Sequence, residues 1–83
     1  MASEIHMHDA VALLEDARAT HFVTGRSILL RRGRGQVGTV VMAYDGTVFD
    51  VEFAGHDGRA YAILPLHASK VMVLRHTPDY AST

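Results

Sequence analysis

Two Asp-Gly pairs, Asp45-Gly46 and Asp57-Gly58, bracket the segment Thr47-Val48-Phe49-Asp50-Val51-Glu52-Phe53, which alternates apolar and acidic side chains from Phe49 onward. Alternation at period two puts Phe49, Val51 and Phe53 on one face of a strand and Asp50 and Glu52 on the other. Asp-Gly tolerates the positive φ angles that a tight hairpin turn requires. The combination predicts an antiparallel meander of three strands over residues 36–44, 47–53 and 59–64. Thr39, Val40 and Val41 supply β-branched residues to the first of these, and Gly38 marks a bend or a close backbone approach.

Pro65 has no N–H to donate, so pairing is expected to stop there. His67-Ala68-Ser69-Lys70 fits one 3₁₀ turn, and Val71-Met72-Val73-Leu74 fits a last short strand. Upstream, Asp9-Ala10-Val11-Ala12-Leu13-Leu14-Glu15-Asp16 is ambiguous: its Ala and Leu content favours helix, whereas Val11 and Leu13 at period two suit a strand. Residues 17–34 read as a long connection punctuated by Thr24-Gly25 and Gly33-Arg34-Gly35. Within it, Ser27-Ile28-Leu29-Leu30-Arg31 forms a short strand, an apolar flap or a segment exchanged with a neighbour, and Phe22, Ile28, Leu29 and Leu30 are candidates to pack it.

This order of elements is that of an all-β fold, a small SH3-like antiparallel barrel of about five strands with a long early loop and one 3₁₀ turn. Its expected core is Val11, Leu13, Val37, Val41, Phe49, Val51, Phe53, Leu64 and part of 71–74. A chain of 83 residues makes a single domain. The expected boundaries are a mobile arm over 1–8, the domain over 9–76 and a frayed tail over 77–83.

The segments 9–16, Gly35-Gln36-Val37-Gly38-Thr39-Val40-Val41, Phe49-Asp50-Val51-Glu52-Phe53, Asp57-Gly58-Arg59-Ala60-Tyr61-Ala62 and Met72-Val73-Leu74 resemble, in register, domain of unknown function 4926. The resemblance implies a small bacterial SH3-like module, often encoded in mobile or toxin–antitoxin-like neighbourhoods. It also favours the strand reading of 9–16. It carries no catalytic residue across, and the long segment 17–34 departs from its usual pattern. Gly33-Arg34-Gly35-Gln36-Val37-Gly38-Thr39-Val40 is also similar, over a shorter stretch, to the KOW motif of RNA-binding ribosomal and elongation proteins.

Charge is close to balanced at −1 but unevenly placed. Over 17–44 the charged residues are Arg18, Arg26, Arg31, Arg32 and Arg34; over 45–57 they are Asp45, Asp50, Glu52 and Asp57. Such asymmetry suits head-to-tail contact between copies or a partner with a complementary patch. Arg26, Arg31, Arg32 and Arg34 are therefore the candidate partner contacts. Three readings of them compete: a solvated loop, a surface for an acidic protein or a second copy, and a phosphate-contacting patch for nucleic acid. Only Phe22 and Tyr44 flank them, too few for a single-strand stacking platform.

The absence of cysteine removes disulfides, thiolate zinc sites and cysteine nucleophiles. No apolar run spans a bilayer and the start lacks a secretory signal pattern, so a cytoplasmic protein with no membrane partner is expected. Six histidines are present, but His6, His8, His21, His56, His67 and His76 lack metal-site spacing, and no metal or other cofactor is expected. Asp50 and Glu52 mimic paired carboxylates only superficially, since no nucleophile, base and orienter converge with them. No small-molecule substrate is inferred. Met42, Tyr44, Tyr61 and Met72 either complete a thin core or line an exposed apolar patch. The expectation is a non-enzymatic interaction module that binds a protein or itself, with a KOW-like RNA binder as the alternative.

Overall fold

The computed structural model describes residues 5–34 and 36–74; the expected tail over 77–83 lies outside the described residues. Seven strands and one 3₁₀ turn follow in order: β1 (Ala10–Leu13), β2 (Ala17–Thr20), β3 (Ser27–Leu30), β4 (Val37–Tyr44), β5 (Val48–Ala54), β6 (Ala60–His67), the turn Ala68–Lys70, and β7 (Val71–Val73). The fold is all-β. Five strands make one antiparallel sheet in the order β6-β5-β4-β1-β7, and β2 pairs with β3 in a separate hairpin.

Both Asp-Gly pairs turn the chain as their chemistry demands. Asp45 and Gly46 have φ of 43° and 84°, the paired positive values of a type I′ hairpin. The Asp45 carboxylate accepts from the Thr47 N–H at 3.1 Å and from its hydroxyl at 2.7 Å. At the second turn Gly58 has φ of 79°, and Asp57 accepts from the Arg59 N–H at 2.9 Å. The 3₁₀ turn is capped by His67, whose Nδ1 accepts from the Ser69 N–H at 3.1 Å.

Phe49, Val51 and Phe53 point inward and are buried with Val11, Leu13, Leu64, Leu66 and Val71. The strand before them is turned the other way from expectation. Val37 is exposed and Val41 only partly covered, while Gly38 and Val40 face the core. Register explains this: Gly38 lies opposite Phe53 and Val40 opposite Val51. A Cβ at Gly38 would collide with Val51 Cγ1 and meet the Phe53 ring at 3.0 Å. Glycine is therefore the inward residue because the Val51 side chain and the Phe53 ring already fill its place. A bulge between Val40 and Met42 then shifts the register of the pairing.

Three other expectations are corrected. The strands do not close into an SH3-like barrel: β6 and β7 are the two edges of an open sheet. One end of β6 is instead capped by the hairpin, where the Phe22 N–H donates to the Tyr61 carbonyl at 2.8 Å and the His21 ring stacks on Tyr61. The long early loop is that hairpin, pairing within the chain as Arg18 with Leu29 and Ala19 with Ile28. Of its candidate packing residues, Leu30 is buried and Ile28 leans on the core, but Phe22 and Leu29 are exposed. Pro65 does not end pairing, for it sits opposite Asp50 inside β6; an edge strand tolerates a missing N–H. The ambiguous segment 9–16 resolves as the resemblance favoured: 10–13 is a strand despite its helical composition, because it is paired on both sides, to β4 and β7.

Replacing Gly38 with Ala should lower unfolding free energy by about 1–3 kcal/mol, the usual cost of overpacking a filled core. Urea denaturation measures it, and a neutral result would contradict the inward placement of position 38.

Candidate functional site

The side of β4, β5 and β6 that turns away from the core carries the features that fold formation does not use. Cross-strand register sets Thr39, Glu52 and Ile63 in one row, and Met42, Asp50 and Pro65 in the next. Tyr44, Val48 and His67 make a third. A solvated antiparallel face normally alternates to polar residues. Here Val37, Met42, Tyr44 and Ile63 are 40–48% exposed, and neighbouring registers make them one surface rather than scattered points. Asp50 and Glu52 stand among them with no lysine or arginine in these rows.

Those two carboxylates lie about 7 Å apart, two residues along one strand. Tyr44 donates its hydroxyl to Asp50 at 2.7 Å. That bond, with the carboxylate charge behind it, raises the Tyr44 phenol above its ordinary pKa. Glu52 has no ion-pair partner among the described residues, where the ion pairs are Lys70 with Glu15 and His6 with Asp9. Asp45, at the nearby turn, is held below the ordinary carboxylate range, first by the Thr47 hydroxyl and then by the Thr47 N–H.

The arginine candidates do not form one cluster. Arg26 sits at the tip of the β2–β3 hairpin, where its N–H donates to Thr24 Oγ1 at 3.2 Å. Arg31, Arg32 and Arg34 follow β3 at the hairpin base, about 16 Å away along the intervening strand. The Arg32 N–H donates to Asp16 Oδ1 at 2.8 Å, tying the two ends of the hairpin together. All four are exposed, and none of their guanidinium groups forms an ion pair among the described residues. Arg18, outside the expected set, projects from β2 beside Leu29, with only a 3.5 Å contact to Ser27 Oγ. Position-by-position reading missed it because pairing across the hairpin is what brings it to Leu29 and Arg31.

The hairpin is held against the sheet by several contacts. His21 Nδ1 accepts from the N–H groups of Val23 and Thr24, its ring lies 5.9 Å from that of Tyr61, and Tyr61 donates to Gln36 Oε1 at 3.0 Å. Elsewhere, a groove of about 550 Å³ beside β7 is lined by Ile5, Leu14, Thr47, His67, Val71 and Met72 among others, without a charged side chain. Among the described residues no polar or charged side chain is buried, and no three His, Asp or Glu groups gather where they could hold a metal. No helix among them is long and apolar enough to cross a membrane. Of the apolar-patch candidates, Met42, Tyr44 and Met72 are exposed and Tyr61 is half-buried. Ile63 joins them, a residue whose outward face follows only from register.

The family model of the domain of unknown function DUF4926 matches residues 7–73, and the chain belongs to that family. No curated protein and no solved structure matches it.

Two titrations follow. A phenol whose pKa is raised in the folded state adds stability that is complete below the unfolded value of about 10 and is lost as pH rises through the folded value. Tyr44→Phe should therefore flatten the alkaline limb of the stability curve and remove a high-pH transition from the ultraviolet titration; an unchanged titration would contradict the Asp50 bond. Asp45 has the opposite sign, its contribution being present above the ordinary carboxylate pKa and lost as pH falls through the depressed one. Thr47→Ala should move acid unfolding to higher pH, which thermal melts across the acid range will read.

Proposed function

We propose that this member of the DUF4926 family is a non-enzymatic protein-interaction module, and that the outward face of β4–β6 receives its partner. The observation that carries this reading is the union of half-exposed Val37, Met42, Tyr44 and Ile63 with the unneutralised pair Asp50 and Glu52. Apolar area supplies the affinity of such a contact, and the carboxylates select and orient a basic partner. The exposed arginines at the two ends of the β2–β3 hairpin, Arg26 at its tip and Arg31, Arg32 and Arg34 at its base, are further candidate contacts of opposite sign.

The surface chemistry is of a kind that suits contact with a partner. The carboxylate pair has apolar and phenolic neighbours, with no nucleophile and base set to act together. The arginines favour a protein partner over a nucleic acid, since the strand between Arg26 and Arg31 breaks up the basic patch and aromatic residues are sparse around it. Cytoplasmic residence suits a cysteine-free chain with this surface.

Affinity capture from the native host tests the reading. Immobilised wild-type chain should retain a protein at moderate salt, and the Asp50→Lys/Glu52→Lys variant should lose it. Equal retention by both would contradict the face assignment. Retention of RNA that falls steeply with salt would favour nucleic-acid binding instead.

A further inference from the structure

We infer that the partner of the acidic sheet face is a second copy of this chain, docked head to tail through the outer surface of its β2–β3 hairpin. The inference rests on the interaction reading above and names its partner. Arg18 lies directly across the hairpin from Leu29, and Arg31 follows Leu29 by two residues, the spacing that keeps alternate residues on one side. Arg31 is the first residue past β3, and the hairpin register continued by that one place sets the two arginines about 7–8 Å apart at their backbones. Asp50 and Glu52 offer two opposite charges at nearly the same spacing, about 7 Å along β5. Leu29, 39% exposed between the arginines, presents an apolar group to a surface where Met42 and Ile63 flank the carboxylates.

Neither set of charges has an ion-pair partner inside its own molecule among the described residues, Asp50 accepting from the neutral Tyr44 hydroxyl and Arg18 touching Ser27 Oγ. The acid at the hairpin base, Asp16, accepts from the Arg32 backbone N–H and so tethers the loop. Because hairpin and sheet face are different surfaces, the contact is heterologous: each copy keeps one free acceptor and one free donor surface, and association propagates to chains or closes to a ring. Individual exposed ion pairs contribute little, so the contact is weak, sensitive to salt and dependent on concentration.

Sedimentation equilibrium on the purified full chain and two charge-reversed variants tests this. Wild type should grow in weight-average mass with concentration, and high salt should reverse the growth. Asp50→Lys/Glu52→Lys, with its sheet face blocked, and Arg18→Glu/Arg31→Glu, with its hairpin blocked, should each weaken association at least about tenfold. All four positions are surface ones, and circular dichroism will verify that each variant is folded. Mixed in equal amounts, the two variants should associate again and grow with concentration, because the intact hairpin of one meets the intact sheet face of the other and the two reversed surfaces are complementary in charge as well. Self-association of the hairpin-blocked variant at wild-type strength would overturn the head-to-tail mode in favour of a face-to-face dimer. A mixture that stays monomeric would overturn it as well. Wild type that stays monomeric while still capturing a different protein through Asp50 and Glu52 would overturn the second copy as partner but leave the sheet-face reading standing.

Discussion

The side chain of Val51 occupies the volume that a side chain at position 38 would need, with the ring of Phe53 closing the same space. Because strand residues alternate, this one contact settles the orientation of β4 and β5 together. With Gly38 and Val40 against Phe53 and Val51, the opposite faces present Thr39, Asp50 and Glu52 to the outside, and the bulge after Val40 turns Met42 to that side as well. A slip of one residue would bury two carboxylates, which costs far more than the packing it would gain. The acidic apolar face is thus a direct consequence of how the core is filled.

The second surface depends on a different set of contacts. The hairpin has little core of its own: Ala19 and Leu30 are its buried residues. It is positioned by Phe22 bonding to Tyr61, by the His21–Tyr61 stack and by Asp16 receiving the Arg32 amide. These hold Arg18 on a two-stranded ribbon and fix the start of the segment after β3 that carries Arg31, which lowers the entropy lost on docking. Division of labour follows from magnitudes. Exposed ion pairs yield about 0–1 kcal/mol each, whereas apolar burial yields about 25 cal/mol per Å². Charge therefore sets orientation and encounter, while Met42, Ile63 and Leu29 supply the attraction.

Local chemistry made part of this legible in the sequence. Asp45-Gly46 and Asp57-Gly58 declare their turns, Phe49 to Phe53 declares its inward face, and His67 to Lys70 its 3₁₀ turn. What was hidden depends on distant partners. Gly38 has no hydrophobicity to mark it as inward, so neighbouring valines at 37 and 41 gave the wrong face, and the bulge after Val40 shifted the pairing further. Ala17 to Thr20 alternates only small alanines with polar residues over four positions, too slight a pattern to declare a strand, and its pairing with Ser27 to Leu30 defines it. Pro65 is tolerable only on an edge strand, a property of the sheet rather than of the proline. The arginines were visible as a group, but β3 separates Arg26 from the rest, and pairing brings in Arg18.

Amide chemical shifts followed as protein concentration rises report most directly whether the surfaces set by this core meet one another. The expected result is a concentration-dependent shift confined to two patches, around Met42, Asp50, Glu52 and Ile63 on the sheet and around Arg18, Leu29 and Arg31 on the hairpin, both suppressed by salt. Shifts concentrated instead along Val71–Val73 and the groove beside them, or a spectrum that does not change with concentration, would contradict it.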